Sequence, residues 1–148
     1  MSLAAQILDL AKQSETMIAT AESCTGGMVM AALTDIAGSS AVAERGFVTY
    51  TNNAKMQMLG VSGATLDAHG AVSEEIAAEM AKGALRNSEA TLSVSITGIA
   101  GPGGSDHKPL ASLTTKTAQQ RLSNLGRRVG PMYVKRHVIM RCKCYWIG

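Results

Sequence analysis

The sequence predicts an α/β domain, and three observations carry that prediction. The 148 residues suffice for one domain and are too few for two of ordinary size. Apolar residues make up 46% of the chain and charged residues 17%, which is typical of a globular protein with a buried core. Segments with helical and strand patterns alternate along the chain, as they do in proteins that pack helices against a parallel sheet.

The first fifty residues contain two predicted helices and two predicted strands. Residues 4–12 predict a helix that has apolar side chains, with that of Leu3, on one face, and residues 17–21 form a short apolar run typical of a buried strand. Residues 28–36 have a helical pattern, and residues 42–50 predict a second strand from the β-branched and aromatic run G-F-V-T-Y. The loop at 22–27, E-S-C-T-G-G, leads into a helix N-terminus, where N–H groups and the helix dipole can hold an anion.

The next fifty residues continue the alternation. A helix is predicted at 53–59, a glycine-punctuated connecting stretch at 60–70, and a serine-capped helix at 73–86. Residues 92–97 predict a third strand, and a glycine-rich loop follows at 98–104. This loop matches neither the P-loop nor the dinucleotide fingerprint. Its glycines either allow a ligand to approach the backbone or serve a tight surface turn.

The charge changes abruptly near residue 108. Residues 1–107 contain five Lys or Arg and all eleven acids, a net charge of −6, whereas residues 108–148 contain nine Lys or Arg and no acid. The residue pattern of this basic segment predicts a polar helix over 112–125 and a strand over 132–140. A basic segment can be a nucleic-acid-binding arm, but this one has no recognisable binding motif, so we do not expect nucleic acid as a partner.

Several protein classes are not expected. No apolar run approaches the roughly 20 residues that span a bilayer, and the amino terminus lacks the features of a secretory signal. The three cysteines are odd in number and badly spaced for a disulfide framework, and Cys and His occur in no metal-ligand spacing. We therefore expect a cytoplasmic protein with neither a membrane partner nor a metal.

Lys55 is the most informative cation, because residues 1–107 contain only five Lys or Arg and this one closely follows a predicted strand. A solvated helix lysine is the commoner role. A desolvated lysine, however, has a pKa lowered from about 10.4 toward neutrality, and its free amine can take a proton from serine. Ser23, Ser39 and Ser40 lie at loop ends, where caps and turns are the alternative roles. Cys24 is a further candidate nucleophile if it lies at a helix N-terminus.

Six short motifs follow one another in the first 109 residues. They are A-E-S-C-T-G-G (21–27), D-I-A-G-S-S (35–40), R-G-F-V-T-Y (45–50), N-x-A-K-x-x-M-L-G-V (52–61), H-G-A-V-S (69–73) and T-G-I-A-G-P-G-G (97–104). In this order and spacing they resemble the CinA C-terminal domain family, whose members hydrolyse nicotinamide mononucleotide (NMN). The resemblance implies a three-layer α/β/α sandwich that forms a homo-oligomer and needs no cofactor.

The resemblance also implies a reaction, in which the carboxamide of NMN is hydrolysed to nicotinic acid mononucleotide and ammonia by a Ser/Lys pair without metal. On this basis Ser40 is the expected nucleophile, Lys55 its general base and Tyr50 an aid to proton transfer. Ser23 remains a competing nucleophile. The expected substrate-binding residues are Ser23, Thr25, Gly26, Thr97, Gly98 and Gly101. The backbone after Ser23 and after Thr97 is expected to hold the amide oxyanion or the phosphate. The alternative function is a catalytically inactive nucleotide-binding module of the same fold.

The resemblance ends at residue 109, close to the point where the acidic residues end. We therefore assign residues 1–109 to a CinA C-terminal-like amidohydrolase domain and residues 110–148 to an atypical basic tail. Our hypothesis is that this tail comes from a shifted reading frame or another replacement of the C-terminus. On this hypothesis, late sheet strands of the family fold are missing, and so is a basic residue that the resemblance implies near the ligand phosphate.

Overall fold

The computed structural model describes residues 1–99 in full and the backbone of two further strands at 113–119 and 133–136. The helices are α1 (Leu3–Gln13), α2 (Met28–Thr34), α3 (Asn52–Leu59), α4 (Gly63–His69) and α5 (Glu74–Arg86), with a single 3₁₀ turn at Ser39–Ala41. The strands are β1 (Ile18–Glu22), β2 (Ala43–Val48), β3 (Leu92–Gly98), β4 (Leu113–Gln119) and β5 (Tyr133–Arg136).

The five strands that the structure describes form one mixed sheet in the order β2-β1-β3-β4-β5. β1 runs parallel to both β2 and β3, whereas β4 is antiparallel to β3 and β5 is antiparallel to β4. The α/β prediction is therefore confirmed. The three parallel strands end at the same edge of the sheet, and this edge carries the candidate site.

Helices cover both faces of the sheet. Strand β1 is buried along its whole length and alternates between two hydrophobic cores, with Ile18 in one and Ala19 and Ala21 in the other. The Ile18 core includes residues from α1 and α2, and the Ala19 core includes residues from α3, α4 and α5. This is the three-layer arrangement that the resemblance implied.

Two local predictions were wrong. The connecting stretch at 60–70 contains helix α4, which begins after the N-cap Ser62 and ends at Gly70. The predicted polar helix at 112–125 is instead strand β4 at its start, where three threonines favour extended backbone and the open edge of β3 supplies hydrogen-bonding partners. The predicted strand at 132–140 is present over its first part as β5.

Helix α3 is held in place by an unusually close approach to α5. A Cβ atom built on Gly83 in α5 would lie 2.1 Å from the carbonyl oxygen of Leu59. Arg86 Nη2 donates to that same carbonyl oxygen, and Asn87 Nδ2 donates to the carbonyl of Met58, so α5 also caps the end of α3. The position of α3 therefore depends on a residue without a side chain at 83.

We predict that Gly83→Ala lowers the free energy of unfolding by about 1–3 kcal/mol, because the added methyl group forces α3 and α5 apart. This loss is expected even though alanine favours a helix by about 1 kcal/mol over glycine. Urea denaturation measures the change. Gly63→Ala is the matched control, since its Cβ would meet only Met56 Sδ at 3.6 Å, an ordinary contact. Equal stability of the two variants would contradict the close approach.

Candidate active site

A cavity of about 250 Å³ opens where the parallel strands end. Crevices at the carboxyl ends of parallel strands are the usual ligand sites of open α/β sheets. The lining residues are Ser23, Cys24, Tyr50, Asn52, Lys55, Ala71, Val72, Thr97, Gly98 and Ile99. They come from the segments that follow β1, β2 and α4, from α3, and from the end of β3.

Lys55 projects from α3 into the floor of this cavity and is only 1% exposed. Its Nζ atom lies 3.0 Å from Ser23 Oγ, 3.0 Å from the carbonyl oxygen of Thr49 and 3.2 Å from that of Tyr50. Within residues 1–99, no carboxylate forms an ion pair with this amine. The desolvated lysine that the sequence offered as one alternative is therefore what the structure contains.

Burial lowers the pKa of the Lys55 ammonium, and the neighbouring Cys24 raises it in part. A lower pKa means a larger fraction of free amine, which has two N–H donors and one lone pair. The two carbonyl oxygens can accept both N–H groups. The third of these contacts, the hydroxyl of Ser23, then faces the lone pair, so the free amine can accept the serine proton.

Ser23 lies in the turn between β1 and α2 and is itself buried. Its backbone N–H donates to the carbonyl of Ile96 in β3, and its Oγ atom lies 3.5 Å from the carbonyl oxygen of Tyr50. The turn closes through Gly26 and Gly27, whose φ angles of 57° and 103° are left-handed conformations that glycine adopts freely. This turn presents the serine hydroxyl to Lys55.

Ser40, the expected nucleophile, is not brought to Lys55. It lies exposed in the 3₁₀ turn that precedes β2, whereas Ser23 follows β1. Because β1 and β2 are parallel, the two serines lie at opposite ends of the sheet, and the six residues of β2 span roughly 20 Å. Within one chain, the structure thus pairs Lys55 with Ser23, the competing candidate.

The other expected site residues differ in position. Tyr50 is 67% exposed, lines the cavity and approaches Lys55 through its carbonyl oxygen. Thr97 Oγ1 donates to the carbonyl of Ala71 at 2.8 Å, which ties the end of β3 to the segment after α4. Gly98 also lines the cavity. Two further expected residues, Thr25 and Gly26, follow Ser23 in its turn without lining the cavity, and Gly101 lies outside the described residues.

The N-terminus of α2 is already occupied from within the protein. The carboxylate of Glu22, at the end of β1, accepts hydrogen bonds from the backbone N–H groups of Gly27, Val29 and Met30 at 3.2, 2.9 and 2.9 Å. These amides are therefore not available to a substrate anion, contrary to the expectation for this helix. The amide groups that follow Gly98 lie mostly outside the described residues.

Sequence reasoning did not assign a role to Glu22, Asn52, Ala71 or Val72. A signal for Glu22 existed, since an acid at the end of an apolar strand needs buried hydrogen-bonding partners. Ala71 and Val72 belong to the H-G-A-V-S motif, but nothing in their chemistry marks them as cavity residues. Among the residues that the structure describes, no cluster of His, Cys, Asp or Glu is suited to a metal ion, and no helix is long and apolar enough to cross a membrane.

Comparison with known proteins shows the family of this chain. The sequence model of the CinA C-terminal domain matches residues 1–127. The chain belongs to the CinA C-terminal domain family. The match runs past residue 109, and the boundary we placed there remains a prediction.

Relatives of this CinA domain include an enzyme, a longer protein and a solved structure. Nicotinamide-nucleotide amidohydrolase PncC of Escherichia coli K12 is 52% identical over 129 residues, which cover 86% of this chain and 78% of the relative. A CinA-like protein of Chlorobium phaeovibrioides is 49% identical over 86% of this chain but only 30% of its own length. The crystal structure of competence/damage inducible protein CihA from Agrobacterium tumefaciens superposes with a TM-score of 0.78 at 46% identity, covering 91% of this chain and 82% of that one.

We predict that the buried Lys55 makes the stability of this CinA domain depend on pH. Its folded-state pKa lies below the ordinary value of 10.5, so between the two values the unfolded state binds more protons and stability rises with pH. One such group contributes a slope of up to about 1.4 kcal/mol per pH unit. Urea denaturation of the wild type and Lys55→Met over the range from pH 7 to 10.5 measures the contribution. Parallel pH profiles for the two proteins would show that the lysine is not perturbed.

Proposed function

We propose that this chain hydrolyses the carboxamide of NMN to nicotinic acid mononucleotide and ammonia. The observation that carries the proposal is the 3.0 Å separation between Lys55 Nζ and Ser23 Oγ at the base of a cavity. The substrate follows from the E. coli relative, which is named a nicotinamide-nucleotide amidohydrolase and is similar over most of both chains. The nucleophile that we propose is Ser23 rather than Ser40.

In the first half of the reaction, the Lys55 free amine removes the proton of Ser23 as Oγ bonds to the carboxamide carbon. The carbonyl becomes a tetrahedral oxyanion. When it collapses, the C–N bond breaks and Lys55 returns the proton to the departing nitrogen, which leaves as ammonia. Ser23 now carries the nicotinic acid mononucleotide as an ester, and Lys55 is again a free amine.

In the second half, Lys55 removes a proton from water while the water oxygen attacks the ester carbon. The bond between Ser23 Oγ and the ester carbon then breaks. Ser23 Oγ recovers a proton from Lys55, and the acid product departs. The same amine thus acts as base and as acid in each half. A lowered pKa serves both roles, because the free amine is more abundant and the ammonium gives its proton more readily.

Neighbouring groups support this chemistry in the proposal. The carbonyls of Thr49 and Tyr50 fix the direction of the amine, and the phenol of Tyr50, a residue that lines the cavity, assists proton transfer. Thr97 and Gly98 bound the substrate on the β3 side.

We further propose a homo-oligomer in the cytoplasm. The apolar side chains of Met28 and Val48 near the edge strand β2 are 62% and 48% exposed and suit such association.

The tail enters the proposal as a replaced C-terminus that follows a catalytic domain at 1–109. Its residues 113–119 and 133–136 extend the sheet beside β3, although the tail has a net charge of +8 and no acid. Sequencing the encoding DNA tests this, since an uninterrupted frame with no family-like end in another frame would contradict a frame shift.

We predict that Ser23→Ala lowers kcat for ammonia release from NMN by about 10³-fold or more, because it removes the nucleophile. Ser40→Ala is the matched control and should remain within about threefold of the wild type, since Ser40 lies at the other end of the sheet. A loss confined to Ser40→Ala would restore Ser40 as the nucleophile. No ammonia release from the folded wild type would favour the inactive nucleotide-binding module.

We predict that kcat/KM for NMN rises with pH to a plateau, with a midpoint below the ordinary lysine value of about 10.4. The sign follows from the mechanism, because only the free amine can accept the serine proton. Lys55→Arg should be inactive at every pH, since a guanidinium stays protonated. A profile that falls with pH through the same range would rule out Lys55 as the base.

A further inference from the structure

The carboxylate of Glu22 is one of the most deeply buried polar groups in the described part of the chain. The residue is 0% exposed, and no Lys, Arg or His side chain within residues 1–99 forms an ion pair with it. A buried charge is costly unless it is fully hydrogen-bonded. Here three backbone N–H groups at the start of α2 provide that compensation, together with the positive end of the helix dipole.

A helix usually obtains such a cap from the residue at its own N-cap position. The N-cap of α2 is Gly27, which has no side chain to offer, and the cap comes from Glu22, five residues earlier on β1. The carboxylate therefore bridges the two ends of the turn that contains Ser23. Oε2 accepts from Gly27 and Val29, and Oε1 accepts from Met30, so the bridge uses both oxygens.

The backbone of Glu22 connects the same turn to the lysine side of the site. Its carbonyl oxygen accepts from the N–H of Thr49 at 2.7 Å, and the carbonyl oxygen of Thr49 accepts from Lys55 Nζ. Ser23 N–H is in turn held by Ile96 of β3. Glu22 thus links the Ser23 turn, helix α2 and the peptide of Thr49, whose carbonyl oxygen accepts from Lys55.

We propose that Glu22 is a positioning residue for catalysis, whose buried carboxylate holds the Ser23 hydroxyl within reach of Lys55. This inference rests on the proposed Ser23–Lys55 chemistry. It assigns the start of α2 a role other than substrate binding, since its amides are used to fix the nucleophile. Reaction rates depend steeply on such placement, and an error of about 1 Å can cost on the order of 10²-fold.

Glu22→Gln tests the proposal with little change in shape. A glutamine has one acceptor oxygen and an NH₂ group, so at least one of the three N–H groups at α2 faces another donor. We expect kcat for NMN to fall at least tenfold, KM to stay within threefold, and the circular dichroism spectrum to remain that of the wild type. Loss of folded protein would lower the apparent kcat only in proportion to the unfolded fraction, and an unchanged spectrum excludes a tenfold loss of that kind. A lower kcat at unchanged KM and unchanged spectrum therefore marks misplacement of the nucleophile.

Glu79→Gln is the matched control. The carboxylate of Glu79 accepts from the N–H of Ser62 and the hydroxyl of Thr65, both at 2.7 Å, and so it caps α4 rather than the Ser23 turn. We expect this variant to lose thermal stability and to keep kcat within twofold. Wild-type kcat in Glu22→Gln, or equal kcat losses in the two variants, would overturn the positioning role.

A second readout does not depend on NMN. The rate at which phenylmethanesulfonyl fluoride modifies Ser23, followed by intact mass and peptide mapping, reports the reactivity of the serine directly. We expect this rate to fall at least tenfold in Glu22→Gln and to be unchanged in Glu79→Gln. Failure of the wild type to hydrolyse NMN would refute the proposed function, whereas slower labelling of Glu22→Gln would still support the positioning role. An unchanged labelling rate, or no labelling of wild-type Ser23, would overturn it.

Discussion

The burial of one amine constrains the rest of the site. Lys55 Nζ has little contact with water, and its partners are one serine hydroxyl and two peptide carbonyls. A lysine in such a place is stable only if those acceptors are fixed around it. They are fixed because Ser23 follows β1, the two carbonyls follow β2, and these neighbouring parallel strands end at the same edge. The sheet order is therefore what makes a Ser/Lys pair possible in this chain.

Packing outside the cavity holds Lys55 and Ser23 in position. Lys55 is carried by α3, and α3 is held against α5 by the close approach at Gly83 and by the side chains that cap its last turn. Ser23 is carried by a turn that two left-handed glycines close and that the Glu22 carboxylate spans. Neither support touches the cavity, yet each sets the position of one member of the pair. In the proposed mechanism, stability and reactivity are therefore coupled through the placement of α3 and the Ser23 turn.

Much of this arrangement was predictable from the sequence, and the failures have physical causes. Apolar periodicity and cap residues located most helices and strands of residues 1–99, and the scarcity of cations singled out Lys55. Local sequence could not decide whether Ser23 or Ser40 lies near Lys55, because that depends on which ends of the strands face the lysine. Helix α4 was missed because it is short and lies between glycines, and the 112–125 segment was assigned to a helix because its pairing with β3 is a long-range contact. The role of Glu22 depends on hydrogen bonds to residues five to eight positions away, which composition does not reveal.

The pKa of Lys55 itself tests the central claim most directly. Lysines labelled with ¹³C at the ε-carbon can be titrated by NMR in the intact protein, and Lys55→Met assigns the resonance. The account predicts that this resonance titrates with a pKa below the ordinary value of about 10.4 and apart from the other lysines. A pKa at or above the ordinary value would mean that Lys55 is a fixed cation at neutral pH. It would then stabilise the Ser23 turn electrostatically, and it would not be the base that activates the serine.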